Sequence, residues 1–147
     1  MSDIEYDKIL IIDFGSQVTK LIARSIRELN VYCEIITINS FNKISKNKLN
    51  FKGIILSGGP DSVTKHKYFP KVNESIFELN IPILGICYGH QLISYLFGGK
   101  IKKAKKREFG RAFLYQLSNS DLTKGFFKNK KNIVWMSHSD SVIKIPK

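Results

Sequence analysis

Cys87 lies in the run Gly85-Ile86-Cys87-Tyr88-Gly89, which has the form Gly-x-nucleophile-x-Gly between an apolar segment and a helical pattern. That form suits a sharp strand-to-helix turn, which presents a nucleophile at the carboxyl edge of a sheet. Small residues two positions either side relieve the crowding of such a turn. A helix N-terminus beneath the thiol favours its anionic form and offers N–H groups to a developing oxyanion. The alternative is a packing cysteine, the common fate of a free thiol. The flanking glycines and the strand–helix setting argue against it. Ser57-Gly58-Gly59-Pro60 follows another apolar run and can turn backbone N–H groups toward the same oxyanion. Alone, Gly-Gly-Pro marks only a turn. It gains meaning because open α/β sheets bind ligands at the carboxyl ends of their strands, where both segments would lie.

The surrounding pattern supplies such a sheet. Lys8–Asp13 is a short β-branched run, as expected of a strand buried on both faces. Val18, Leu21, Ile22, Ser25, Ile26 and Leu29 then follow helical spacing, with Lys20, Arg24, Arg27 and Glu28 mostly opposite. Val31–Ile38 is the second predicted strand, 39–52 a polar stretch with at most a short helical turn, and Gly53–Leu56 the third strand. A short helix is expected over Val72–Leu79, a fourth strand over Ile81–Ile86, and a helix over Tyr88–Phe97 closed by Gly98-Gly99. This alternation predicts an α/β fold with a mostly parallel twisted sheet flanked by helices. Beyond Gly99 two strands, Arg111–Leu117 and Asn132–Met136, give a more β-rich C-terminal part. Residues 1–147 are read as one domain, incomplete at its C-terminus because Ile145-Pro146-Lys147 brings no closing helix.

Composition narrows the function. Hydrophobic residues make up 43% and charged residues 24% of the 147, an ordinary globular balance. The acidic opening Met1–Asp7 lacks the regions of a signal peptide, and no apolar run approaches the ~20 residues of a membrane span, so a cytoplasmic protein is expected. Two cysteines, Cys33 and Cys87, make no disulfide framework, and no His/Cys cluster has zinc spacing; no metal is expected. The net charge of +12 is densest at Lys100, Lys102, Lys103, Lys105, Lys106, Arg107 and Arg111, followed by Lys124, Lys128, Lys130 and Lys131. No aromatic residue interleaves 102–107 and no nucleic-acid motif accompanies it, so a solvated lysine-rich surface is preferred over a nucleic-acid site.

Five blocks together resemble the class I (triad-type) glutamine amidotransferases: Ile12-Asp13-Phe14-Gly15-Ser16-Gln17, Ile54–Pro60, Leu84–Gln91, Arg107–Ala112 and Val134–Asp140. The central blocks suit several branches, including those serving anthranilate or carbamoyl phosphate synthesis. The Asp-Phe-Gly-Ser-Gln, Arg-Glu-Phe-Gly and Trp-Met-Ser-His blocks are similar to the GMP-forming branch. The resemblance implies a flavodoxin-like fold. It implies that Cys87 attacks the side-chain amide carbon of glutamine, with Gly59 and Tyr88 N–H groups holding the oxyanion. Gln91 and the segment Ser137, His138, Ser139, Asp140 would anchor the substrate's polar ends. Ammonia would pass to a separate ATP-pyrophosphatase or synthetase part, which uses ATP and Mg²⁺ to aminate XMP; no cofactor is implied for this chain.

The chain departs from that family's pattern at two places. A His-Pro-Glu block, which supplies the base and its orienting carboxylate, is missing from the 147 residues. Of the three histidines, His66 sits in a polar loop and His90 follows Cys87 by three positions on the same predicted helix. His138 mimics a His-x-acid pair with Asp140, but belongs to the pocket block, where Ser139 replaces the family's usual glycine. Gly98-Gly99-Lys100 follows a helix rather than a strand and makes no phosphate loop. The expectation is a glutaminase part with little turnover by itself. A non-catalytic subunit that binds a partner, or the amidotransferase of another pathway, stands as the alternative.

Overall fold

Alternation along the first strand decides which layer each side chain meets. In β1 (Lys8–Asp13), Leu10 and Ile12 enter one core cluster, whereas Ile9 and Ile11 pack in another on the opposite face. The computed structural model describes residues 7–44, 49–64 and 68–146, and in these the side chains of 104–108 and 139 are not described. β3 (Gly53–Leu56) repeats the alternation, with Ile54 and Leu56 on the side of Leu10 and Ile55 on the side of Ile11.

The first compact unit comprises Met1–Lys102 with Val142–Lys147. Its four strands run in the order β2 (Tyr32–Thr37), β1, β3, β4 (Ile83–Gly85), all parallel. Ile11 faces Ile35 of β2 on one side and Ile55 of β3 on the other. Strand order reverses between β1 and β3, which makes their carboxyl ends the ligand crevice of a flavodoxin-like sheet. The expected parallel α/β architecture is present.

α1 (Thr19–Glu28) covers the Ile11 face, but through a stripe shifted from the expected one. Thr19 and Ala23 are buried, with Ile22 and Ile26 packed beside them, while Val18, Leu21 and Leu29 are 45%, 58% and 76% exposed. Apolar periodicity alone places the stripe through Leu21 and Leu29. The buried line instead contains a threonine whose hydroxyl is hydrogen-bonded, so its polarity is no bar to burial.

On the other face, α2 (Ile38–Phe41), a 3-10 helix (Glu74–Glu78) and α3 (Tyr88–Leu96) enclose the larger core. Thr37 caps α2 by accepting from the Ser40 N–H at 3.3 Å. The segment expected as an α-helix over 72–79 is this shorter 3-10 turn: Asn73 caps it and Asn80, at φ +52°, ends it. The four-residue α2 lies within the polar stretch 39–52 only in part, starting one residue earlier.

The second compact unit, Lys103–Ser141, is built on the antiparallel part of two long strands, β5 (Lys100–Tyr115) and β6 (Lys131–Lys144). Both exceed the expected strands. Lysine-rich sequence has weak strand preference, and inter-strand pairing overrides it. Lys100, Lys102, Lys103, Lys124, Lys128, Lys130 and Lys131 are solvent-exposed, and Lys131 Nζ sits 3.8 Å from the Phe113 ring centre.

Leu56 is completely buried between the layers, so Leu56→Ala should lower the unfolding free energy by about 2–5 kcal/mol in urea titration. Leu21→Ala, on the exposed margin of α1, should change it by less than about 0.5 kcal/mol. Equal losses at the two sites would contradict the layer assignment.

Candidate active site

The turn from β4 to α3 is made possible by what its glycines lack. A Cβ on Gly85 would lie 2.6 Å from the His90 nitrogen, and one on Gly89 would overlap the Leu56 carbonyl. Without those atoms, the start of α3 drops onto the end of β3. The Ile86 N–H donates to the Leu56 carbonyl at 2.9 Å and the Gly89 N–H to the Ser57 carbonyl at 3.1 Å. Between them Cys87 occupies φ +54°, ψ −109°, a backbone region that costs a non-glycine residue about 1–3 kcal/mol. The thiol is exposed there.

The other cysteine shows the opposite environment. Cys33 is 1% exposed and its thiol donates to the Ala23 carbonyl at 3.5 Å. It packs between β2 and α1 as a small apolar group.

Tyr88 is the first residue of α3, so its N–H has no carbonyl one helical turn earlier to bond. Its side chain anchors the turn: the ring meets Phe14 at 5.0 Å between centres and the hydroxyl donates to the Pro70 carbonyl. Burial pushes the Tyr88 phenol well above its ordinary range, and the nearby Asp61 charge adds to the shift. The phenol therefore stays a donor at any physiological pH.

Across from the thiol, the Ser57–Pro60 loop leaves β3. A Cβ on Gly58 would sit 3.5 Å from Cys87 Cβ and 3.2 Å from Ser16 Oγ, so these three groups border one small space. A Cβ on Gly59 would lie 2.8 Å from the Phe14 carbonyl oxygen, which fixes that glycine against the turn after β1. An exposed thiol, a helix start and a glycine loop thus meet at the carboxyl ends of β1, β3 and β4. Such an arrangement can bind an acyl carbon at sulfur and an oxyanion at backbone N–H groups.

The structure brings Cys87, Tyr88 and Gly59 into the first unit, together with Gln91, which is 7% exposed one turn into α3 and whose N–H donates to the Cys87 carbonyl at 3.1 Å. Ser137, His138, Ser139 and Asp140 belong to the second unit, on β6. There Ser137 is exposed, His138 half-buried and Asp140 buried. The Ser139 side chain and His66 lie outside the described residues. His90 is exposed on α3. Gly58 and Ser16 were not singled out from the sequence; both stand inside recognisable blocks, but their proximity to Cys87 arises only when β1 and β3 pair.

Among the described residues, no three His, Cys, Asp or Glu side chains gather as metal ligands, and no helix is long and apolar enough to cross a membrane. A cleft of about 570 Å³ near Gln116, Asn119, Asp121 and Lys124 lies wholly in the second unit and contains none of the groups around the thiol.

The strain at Cys87 has a measurable consequence. Cys87→Gly should raise the unfolding free energy by about 1 kcal/mol, because glycine adopts this conformation without a Cβ clash. Cys87→Ala retains the clash and should give no gain. A stabilisation common to both variants would show that the backbone here is unstrained.

Residues 10–147 match the family of class I glutamine amidotransferases. Over 141 residues, 95% of the chain, it is 53% identical to the glutamine-hydrolyzing GMP synthase of Brachyspira hyodysenteriae and 50% identical to that of Brucella melitensis. It spans about a quarter of the length of these relatives, 26% and 27% respectively. A crystal structure from Thermoplasma acidophilum, provisionally assigned as one subunit of a GMP synthase, superposes with a TM-score of 0.75 at 28% identity, covering 97% of this chain and 69% of that one. A Thermotoga maritima glutamine amidotransferase gives a TM-score of 0.77 at 21% identity, covering 97% and 64%, and shares the fold. The chain therefore belongs to the class I glutamine amidotransferase family and is homologous to the amidotransferase part of GMP synthases.

Proposed function

We propose that the chain is the glutamine-hydrolysing part of a GMP synthase, with Cys87 as its nucleophile. The observation that carries this reading is the exposed thiol at positive φ, facing the Gly58–Gly59 loop and the start of α3. Sulfur attacks the side-chain amide carbon of glutamine, and the carbonyl electron pair moves onto oxygen. The N–H groups of Gly59 and Tyr88 stabilise that oxyanion. Its collapse breaks the C–N bond, and the leaving nitrogen departs as ammonia after taking a proton. Water then cleaves the glutamyl thioester, releasing glutamate and restoring the thiol. Gln91 and residues 137–140 are proposed to hold the amino and carboxylate ends of the substrate.

The proton transfers need a base and a group that orients it. The His-Pro-Glu block that would supply them is not among these 147 residues, so the chain alone should release little ammonia. Ammonia is proposed to serve a synthetase part that binds ATP and Mg²⁺ and converts XMP to GMP.

A chloroketone analogue of glutamine tests the glutaminase reading. The glutaminase reading predicts a single adduct at Cys87, slowed by excess glutamine, with Cys33 unmodified. Equal reaction at both cysteines, or no protection by glutamine, would contradict a formed glutamine pocket. Ammonia release by the purified chain should stay at background; turnover that disappears in Cys87→Ser would show that the base lies within these residues.

A further inference from the structure

The Asp-Phe-Gly-Ser-Gln turn after β1 has no part in the chemistry just described, yet its polar groups join the Gly58–Gly59 loop. Thr19 is 2% exposed on the packing face of α1. Its single proton goes to Asp13 Oδ1 at 2.7 Å, and its oxygen lies 3.1 Å from Ser57 Oγ, from which it can only accept. Asp13 Oδ1 also accepts the Gly15 N–H at 3.0 Å and the Ser16 N–H at 3.3 Å, which folds the turn. Ser57, fully buried, accepts the Phe14 N–H at 3.4 Å, and its one proton has two acceptors in reach, Thr19 Oγ1 and the Gly58 carbonyl at 3.0 Å. These contacts tie the end of β1, through one α1 hydroxyl, to Ser57, the first residue of the loop that faces Cys87.

We infer that Thr19 is a positioning residue: its hydroxyl, tied to Asp13 and Ser57, holds the Gly58–Gly59 loop in place against the thiol. The inference rests on the glutaminase reading for its chemical consequence, and on hydrogen bonds alone for its structural one. Hydrogen bonds to a carboxylate are the stronger kind, so the Asp13–Thr19 contact is the firm end of the chain. Ser57 is held from it, and the Gly58–Gly59 loop begins at Ser57. An oxyanion loop contributes to rate only when its donors are fixed before the charge develops. Thr19 touches no reacting atom; it acts through Ser57.

The test uses the full chain with Thr19→Val, which keeps the volume and removes the hydroxyl, and Thr19→Ser, which restores it. Two quantities are read alongside the melting midpoint. One is the rate of Cys87 labelling by the glutamine chloroketone divided by its rate with iodoacetamide; the other is amide hydrogen exchange across residues 57–60. Thr19→Val should lower the labelling ratio by about tenfold and speed exchange at 57–60, with the iodoacetamide rate unchanged, and Thr19→Ser should recover both. Wild-type ratio and exchange in Thr19→Val would overturn the inference. Should Thr19→Val fail to fold, Ser57→Ala is read by the same two quantities, with the same results supporting or overturning the inference. If the wild-type chain shows no preference for the chloroketone, the glutaminase reading falls. Exchange then decides alone: faster exchange at 57–60 in the variant supports the positioning role and unchanged exchange overturns it.

Discussion

The close approach of α3 to the end of β3 is the constraint on which the site depends. Gly89 can rest against the Leu56 carbonyl only because it carries no side chain. That contact lets Leu56 and Ser57 carbonyls accept the Ile86 and Gly89 N–H groups, which ties two strand ends and a helix start into one rigid corner. Cys87 is left at the apex with no regular backbone conformation available to it. The strain is sustained by the surrounding bonds, which is how functional sites keep a residue in a sparsely populated region. Leu56 links this corner to the core, since its side chain is fully buried while its carbonyl serves the turn.

The two cysteines show how local backbone decides what one residue type does. Cys33 continues a regular strand and alternates inward, so its thiol is enclosed by Ala23 and Ile11. Cys87 interrupts regular structure, so its side chain leaves the layer it would otherwise join. Nothing in the two side chains differs; the glycines at 85 and 89 make the difference.

Much of this was legible in the sequence because it is set by short-range rules. Two-residue alternation in β1 and β3 and the Gly-x-Cys-x-Gly run require no knowledge of distant contacts. What escaped depends on the choice among near-equivalent local options. α1 rotates so that Thr19 faces inward and Leu21 outward, a choice made by Asp13 and Ser57 acting as hydrogen-bond partners. The 72–79 segment tightens into a 3-10 turn because Asn73 caps it late and Asn80 ends it early. Lys100–Lys103 enters a long strand through pairing, against its composition. Gly58 and Ser16 become neighbours of Cys87 only through the parallel pairing of β1 with β3, which no local pattern encodes.

The corner gives the substrate carbonyl one place to go. A crystal structure of the chain with a glutamine-derived ketone bonded to Cys87 tests that most directly. The ketone oxygen is predicted to lie within hydrogen-bond distance of both the Gly59 and Tyr88 N–H groups. An adduct whose oxygen points to solvent, with those two groups bonded elsewhere, would contradict the account.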